Sequence, residues 1–436
     1  MRCFASQLLL TTGVCLLAVP VGAQDMSRVR QTVQDLTAPA MHGRGYVQQG
    51  EHKAAAYLRR QFQQLGLQPL APNYTQPFTL AINTFPGRLQ LQVGADSQLG
   101  GTRRFQPGID FIAEPASGGG QVSGRIIEFD TLAFTTAAAR RQWLTLDLRQ
   151  STVVLTARHL ARLQNPTFAD DSLRRSLDVA AARLTLVPRK LTASLSAEQA
   201  PQIQLQLLAD RWHQTLTHAA VRVEATLHQH YQTQNIIGYL PGRVQPDSFV
   251  VVTAHYDHLG QMGARAYFPG ANDNASGTAM LLELAAYYAR PENRPAYSLV
   301  FIAFGAEEAG LVGSRYFVEH SLVPLSRIRF LLNLDLLGTG EEGATVVNGR
   351  TLPAQFQVLQ QLNEEQHALP SLAARGRAAN SDHFPFSELG VPAFFVYTRG
   401  GSTAYHDVHD RAETLSLAAF PRVFKLLYSF LNALQI

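Results

Sequence analysis

The spacing of apolar and polar positions divides the chain into three textures. Over residues 51–65, Ala54, Leu58, Phe62 and Leu65 recur at helical spacing, and Gly66 follows as a stop signal. Residues 74–115 alternate as strands do, with Phe85-Pro86-Gly87 as a turn, and end at the glycine-rich stretch 116–120. Between 121 and 230, short β-like runs at 124–129, 152–156, 184–187 and 221–227 are separated by Arg- and Gln-rich pieces. Beyond 235 the texture changes again. Continuous apolar runs at 249–252, 298–304 and 330–334 read as strands buried on both faces. Helical patterns at 277–289 and 313–320 lie between them. This order predicts an α/β fold with a mostly parallel central sheet flanked by helices. Residues 24–117 and 233–436 form its two parts, and 118–232 an inserted, smaller β-rich domain. Phe420, Val423, Phe424, Leu427, Phe430, Leu431 and Leu434 make one apolar stripe, expected to pack a last helix onto the core.

Composition narrows the function classes. Of the 436 residues, 46% are hydrophobic and 16% charged, enough for a real core. The formal net charge of +4 is not gathered into a dense basic run, so a nucleic-acid partner is not expected. Arg2, the apolar stretch 8–19, Pro20 and the small residues Val21-Gly22-Ala23 read as a secretory signal over residues 1–23. Its apolar core is short for a bilayer span, so export without stable membrane insertion is expected, to a bacterial periplasm or the medium. Both cysteines, Cys3 and Cys15, lie inside it, leaving the mature chain without disulfide or thiolate chemistry. His213, His218, His228 and His230 are scattered and read as surface histidines.

The chemistry gathers in the second half, where apolar runs end in His or acidic residues. His255-Tyr256-Asp257 closes the first run. Asn272-Asp273-Asn274-Ala275-Ser276-Gly277 precedes a helix, with Gly270 and Gly277 allowing a tight bend and Ser276 placed to cap the helix. Glu307-Glu308 follows the second run, Asp335 ends the third, and Tyr405-His406 follows Gly400-Gly401. Imidazole and carboxylate are the ligands of borderline and hard divalent ions. In open α/β sheets such groups collect at the carboxyl ends of strands. Asp257 is placed to accept from the second nitrogen of His255. One of two adjacent glutamates can bind an ion while the other serves as base to an activated water. Asp382, His383 and His409 are further ligand candidates on residue type. His258 is turned away if strand alternation continues past His255.

These motifs resemble those of the zinc-dependent exopeptidases of the bacterial aminopeptidase and glutamate carboxypeptidase superfamily. The correspondence rests on Ala254-His255-Tyr256-Asp257, Gly270-Ala271-Asn272-Asp273-Asn274-Ala275-Ser276-Gly277, Glu307-Glu308-Ala309-Gly310-Leu311-Val312-Gly313-Ser314, Asn333-Leu334-Asp335 and Tyr405-His406 through Asp410. It covers residues 235–435 strongly and 26–115 weakly. The resemblance implies two Zn2+ ions. Asp273 bridges them, His255 and Asp335 complete one, and Glu308 and His406 the other. It implies Glu307 as general base, Asp257 and Asp410 as supporting groups behind the ligands, and Ser381, Asp382 and Tyr405 near the substrate pocket. It removes His258, Asp382, His383 and His409 from the ligand set. The implied activity is an exported di-zinc aminopeptidase releasing N-terminal residues from peptides with a metal-activated water. A carboxypeptidase or dipeptidase, a glutaminyl cyclase and a non-catalytic binding protein are the alternatives. The inserted segment sits where relatives carry a protease-associated domain, although its internal sequence matches poorly.

Overall fold

A computed structural model describes residues 24–95, 102–165, 171–213 and 216–435. The signal-like residues 1–23 lie outside the described residues.

The apolar runs form the centre of a nine-stranded mixed sheet. Gln245–His255 pairs in parallel with Tyr297–Phe304 on one side and Ile328–Leu334 on the other. Ile328–Leu334 continues in parallel to Ala393–Arg399. These strands are buried on both faces because helices cover both. One core includes Val29 and Val33 of Met26–Thr37, Leu58 and Phe62 of Gly50–Gln64, and helix Gly277–Tyr288. The C-terminal stripe Phe420, Val423, Phe424, Leu427, Phe430 and Leu431 is buried there too. The opposite core takes Phe317 of Val312–Glu319 and Phe386 of His383–Glu388. Flanking strands are antiparallel, as in the pairing of Thr226–Leu240 with Tyr297–Phe304 and of Gly343–Val347 with Ala393–Arg399. The central α/β architecture is therefore the one the apolar runs predict, with antiparallel edges that their local pattern does not reveal.

The inserted domain differs from expectation in extent and composition. Its eight-stranded sheet begins at Leu89–Gly94, well before residue 118. Leu89–Gly94 pairs with His218–Val223, and Phe111–Ala113 pairs with Ile203–Leu208, so the 117/118 boundary cuts through one sheet. Hydrogen-bond partners more than 90 residues away, not the glycine-rich stretch, decide where this unit starts. It also carries the helices Ala137–Leu144, Ala157–Gln164 and Asp171–Asp178, and four of its strands run in parallel. It is a small α/β layer more than a β-rich one.

Candidate metal centre

Sheet register brings the motifs together. His255 lies opposite Phe304 and Thr253 opposite Asn333, so three neighbouring parallel strands end level with one another. The loops after those ends carry His255, Glu307-Glu308 and Asp335 to one edge. The loop before helix Gly277–Tyr288 brings Asp273, and the turn after Ala393–Arg399 brings His406.

Two clusters share Asp273. His255 Nε2 lies 3.4 Å from Asp273 Oδ1 and 3.4 Å from Asp335 Oδ1. His406 Nε2 lies 3.1 Å from Asp273 Oδ2 and 3.1 Å from Glu308 Oε2. Each oxygen of Asp273 thus faces a different imidazole, and each imidazole has one further carboxylate. These are the five residues the resemblance names. The donor set, two imidazoles and three carboxylates, is the type that holds zinc-like ions. Asp335 Oδ1 is buried and accepts no hydrogen bond among the described residues, an expensive state for a carboxylate oxygen that is not a cation ligand. The residues present fit a pair of divalent ions.

Electrostatics agree. Burial opposes a charge on His406, yet Glu308 and Asp273 raise its pKa to about 11. Burial likewise opposes the His255 charge, while Glu307, Asp335 and Asp273 lift it well above the ordinary range. Four carboxylates gathered around two imidazoles hold positive charge strongly.

The neighbouring groups hold the ligands in place. Asp410 Oδ1 and Oδ2 accept the amides of Asn272 (2.8 Å) and Asp273 (3.0 Å), fixing the loop of the shared carboxylate. Burial lifts the Asp410 carboxyl to about 6. Asp257 acts differently from the expectation. His255 Nδ1 meets its backbone carbonyl at 3.2 Å, with the nearer carboxylate oxygen 3.9 Å away. The Asp257 carboxylate instead accepts the amides of Glu307 (3.1 Å) and Glu308 (3.3 Å), because the chain turns at the strand end. Ser276 does not cap its helix. Its hydroxyl donates to Asn272 O and accepts from Leu337, while Asn274 Oδ1 takes the Gly277 amide.

A cavity of about 160 Å³ opens on the cluster, lined by His255, Asp273, Glu307, Asp335, Leu336, Asn380, Phe395, Tyr397, Tyr405 and His406. Tyr405 lines it as expected, but Ser381 and Asp382 do not, being fully buried. Ser381 donates to Asp335 Oδ2 (3.1 Å) and accepts from Asn333 Nδ2 (2.8 Å), so it supports a ligand from behind. Burial pushes the Asp382 carboxyl up to about 7. Burial also dominates at Glu307. With Asp382, Glu308 and Asp335 adding to it against His255, it drives that carboxyl well above the ordinary range.

Sequence reasoning set His258 aside and gave no role to Arg44 or Lys190. His258 is fully buried, and its Nδ1 lies 2.6 Å from Glu308 Oε1. It also presents a ligand atom within 4.8 Å of those of Asp273 and Glu308. Alternation fails as a guide there because the strand stops at His255. Arg44 is fully buried and donates to five carbonyls: Leu36, Tyr256, Pro269, Gly270 and Asp273. Its only sequence signal is its position between Gly43 and Gly45, both pressed against the Gly260 backbone. Lys190, in the inserted domain, reaches Thr403 O and Tyr405 O at 2.7 Å each, and nothing in its local sequence announces this.

Comparisons with known proteins converge on one family. Residues 235–431 match peptidase family M28. Aminopeptidase YwaD of Bacillus subtilis is 35% identical over 209 residues, 45% of this chain and 43% of that protein. A glutamate carboxypeptidase 2 homolog of Caenorhabditis elegans is 30% identical over 213 residues, 46% of this chain and 25% of that protein. The chain thus spans less than half the length of these curated relatives. Among solved structures, a zinc aminopeptidase from Bacillus subtilis aligns over 93% of both chains with a TM-score of 0.65 and 20% identity. A peptidase M28 precursor from Shewanella amazonensis aligns over 95% of this chain and 94% of its own, with a TM-score of 0.68 and 14% identity. These two likenesses show the fold.

Proposed function

From the membership of residues 235–431 in peptidase family M28, we propose that the chain is an exported di-zinc aminopeptidase. His255 and Asp335 would hold one ion and His406 and Glu308 the other, with Asp273 between them; such ions would supply Lewis acidity toward a water and a peptide carbonyl.

The chain's own residues supply the rest. Glu307 borders the cavity, with a carboxylate oxygen within 4.8 Å of ligand atoms of His255 and Asp335. Its place at the cavity wall beside the ligand residues suits a group that takes a proton from the attacking water and returns it to the leaving amine. Asp257 fixes the amides of Glu307 and Glu308 together, so base and ligand keep their spacing.

One observation favours release of N-terminal residues over the carboxypeptidase alternative. Asp273, Glu307 and Asp335 line the cavity, and no Lys or Arg does. Such a lining offers a C-terminal carboxylate no guanidinium or ammonium partner. Leu336, Phe395, Tyr397 and Tyr405 make the remaining wall apolar, suited to an aliphatic or aromatic first side chain. Residues 1–23 supply the export signal in this reading. No helix among the described residues is long and apolar enough to cross a membrane.

The test is a panel of matched peptides with free and acetylated N-termini. Cleavage confined to the free series, one residue at a time, supports the proposal. Equal cleavage of the acetylated series overturns it.

A further inference from the structure

The two histidines of the centre are held by different parts of the molecule. His255 is oriented from within its own strand end, by the Asp257 carbonyl. His406 is oriented by the inserted domain. The segment between strands Ala182–Val187 and Ile203–Leu208 leaves that domain and lies along the turn carrying His406. The Ala193 amide donates to His406 O at 3.0 Å, and Ala193 O lies 3.0 Å from His406 Nδ1. With the Nδ1 proton committed to that carbonyl, the lone pair of Nε2 faces Asp273 and Glu308. Three residues earlier in the segment, the Lys190 ammonium donates to Thr403 O and Tyr405 O at 2.7 Å each and pairs with Asp407 Oδ2 at 2.9 Å.

The turn needs such support. His406 sits at φ 56°, a left-handed conformation disfavoured for a non-glycine residue. Gly400 and Gly401, just upstream, also have positive φ and allow the turn many alternatives once its anchors are removed. Leu191 and Ala193 are buried in one core with Val408, two residues past His406. The anchor is therefore packed against the turn as well as hydrogen-bonded to it.

We propose that the inserted domain is a working part of the metal centre, with Lys190 and the Ala193 backbone as the anchor that fixes His406 and sets the affinity of one ion position. Lys190 is a positioning residue: it touches no metal ligand side chain and acts through the turn. The inference rests on the two-ion reading above and assigns the inserted domain a role that reading does not need.

The experiment is a calorimetric zinc titration of the full, metal-stripped chain, with thermal unfolding of the same samples. The wild type binds two ions. Lys190→Ala weakens one of them about ten- to a hundredfold, the range for loss of a group supporting a metal ligand, and leaves the other within twofold. Lys190→Arg, which keeps charge and donors, restores most of the affinity. If Lys190→Ala proves unstable, Asp407→Asn removes only the ionic partner and gives the same one-sided loss. Wild-type affinity at both positions in Lys190→Ala and Asp407→Asn overturns the inference, as does an equal fall at both. A wild type that binds no zinc overturns the two-ion reading and this inference with it.

Discussion

At the scale of single residues, the proposed function separates groups that would hold an ion from the group that would move a proton. Glu307 and Glu308 are adjacent, yet one carboxylate faces His406 at 3.1 Å and the other borders the cavity. Glu307→Gln keeps shape and removes the proton acceptor. It is expected to lower kcat by about 10²–10⁴, the usual contribution of a general base, with zinc content unchanged by elemental analysis. Ser381→Ala should do the opposite. It withdraws a hydrogen bond from Asp335, so zinc affinity falls about 10- to 100-fold in a chelator competition while zinc-saturated kcat changes little. That His, Asp and Glu residues would gather at one edge was legible in the sequence, because they stood at the ends of apolar runs; the choice of five among the candidates rested on the resemblance. The supporting groups were not legible. Asp257 uses its carbonyl on His255, and His258 turns inward, because side-chain direction past a strand end follows the loop backbone and not a period of two.

At the scale of elements, two charge pairs lie near the N-terminus. Arg28 forms a two-point ion pair with Glu283, joining helix Met26–Thr37 to the helix that follows the Asp273 loop. Glu283 is 2% exposed and Arg28 37%. Arg28→Ala strands a buried carboxylate and should destabilise by about 2 kcal/mol in urea unfolding, below the range for fully buried pairs because water screens the arginine. Helix Gly50–Gln64 carries the second. His52 pairs with the buried Glu51, which raises the His52 pKa against the opposing effect of burial. A histidine whose folded pKa exceeds its unfolded value stabilises fully below the unfolded value, about 6.5, and loses that contribution as pH rises through the folded value. His52→Gln should therefore lower Tm more at pH 5.5 than at pH 9, and equal losses at both would discount the pair. The periodicity of 51–65 disclosed this helix. Its charge pairing depends on which turn faces the core, which periodicity alone does not resolve.

At the scale of the whole molecule, the inserted domain and the larger sheet meet beside the site. Val408, two residues past His406, is buried in the same core as Leu89, Leu184 and Leu205 of the inserted sheet, together with Met262 and Phe268. The sequence showed the change of texture near 120 and again near 235. It did not show that strand Leu89–Gly94 belongs with the insertion, since pairing with His218–Val223 is a contact across more than 120 residues. Nor did it show that this domain would reach His406.

The central claim is that five side chains hold two ions with Asp273 between them. Elemental analysis of active, extensively dialysed protein tests it most directly, alongside His406→Ala and His255→Ala. The account predicts two zinc ions per wild-type chain and a single tightly held ion in each variant. An active wild type that saturates at one zinc, or a His406→Ala protein that still holds two, would contradict it.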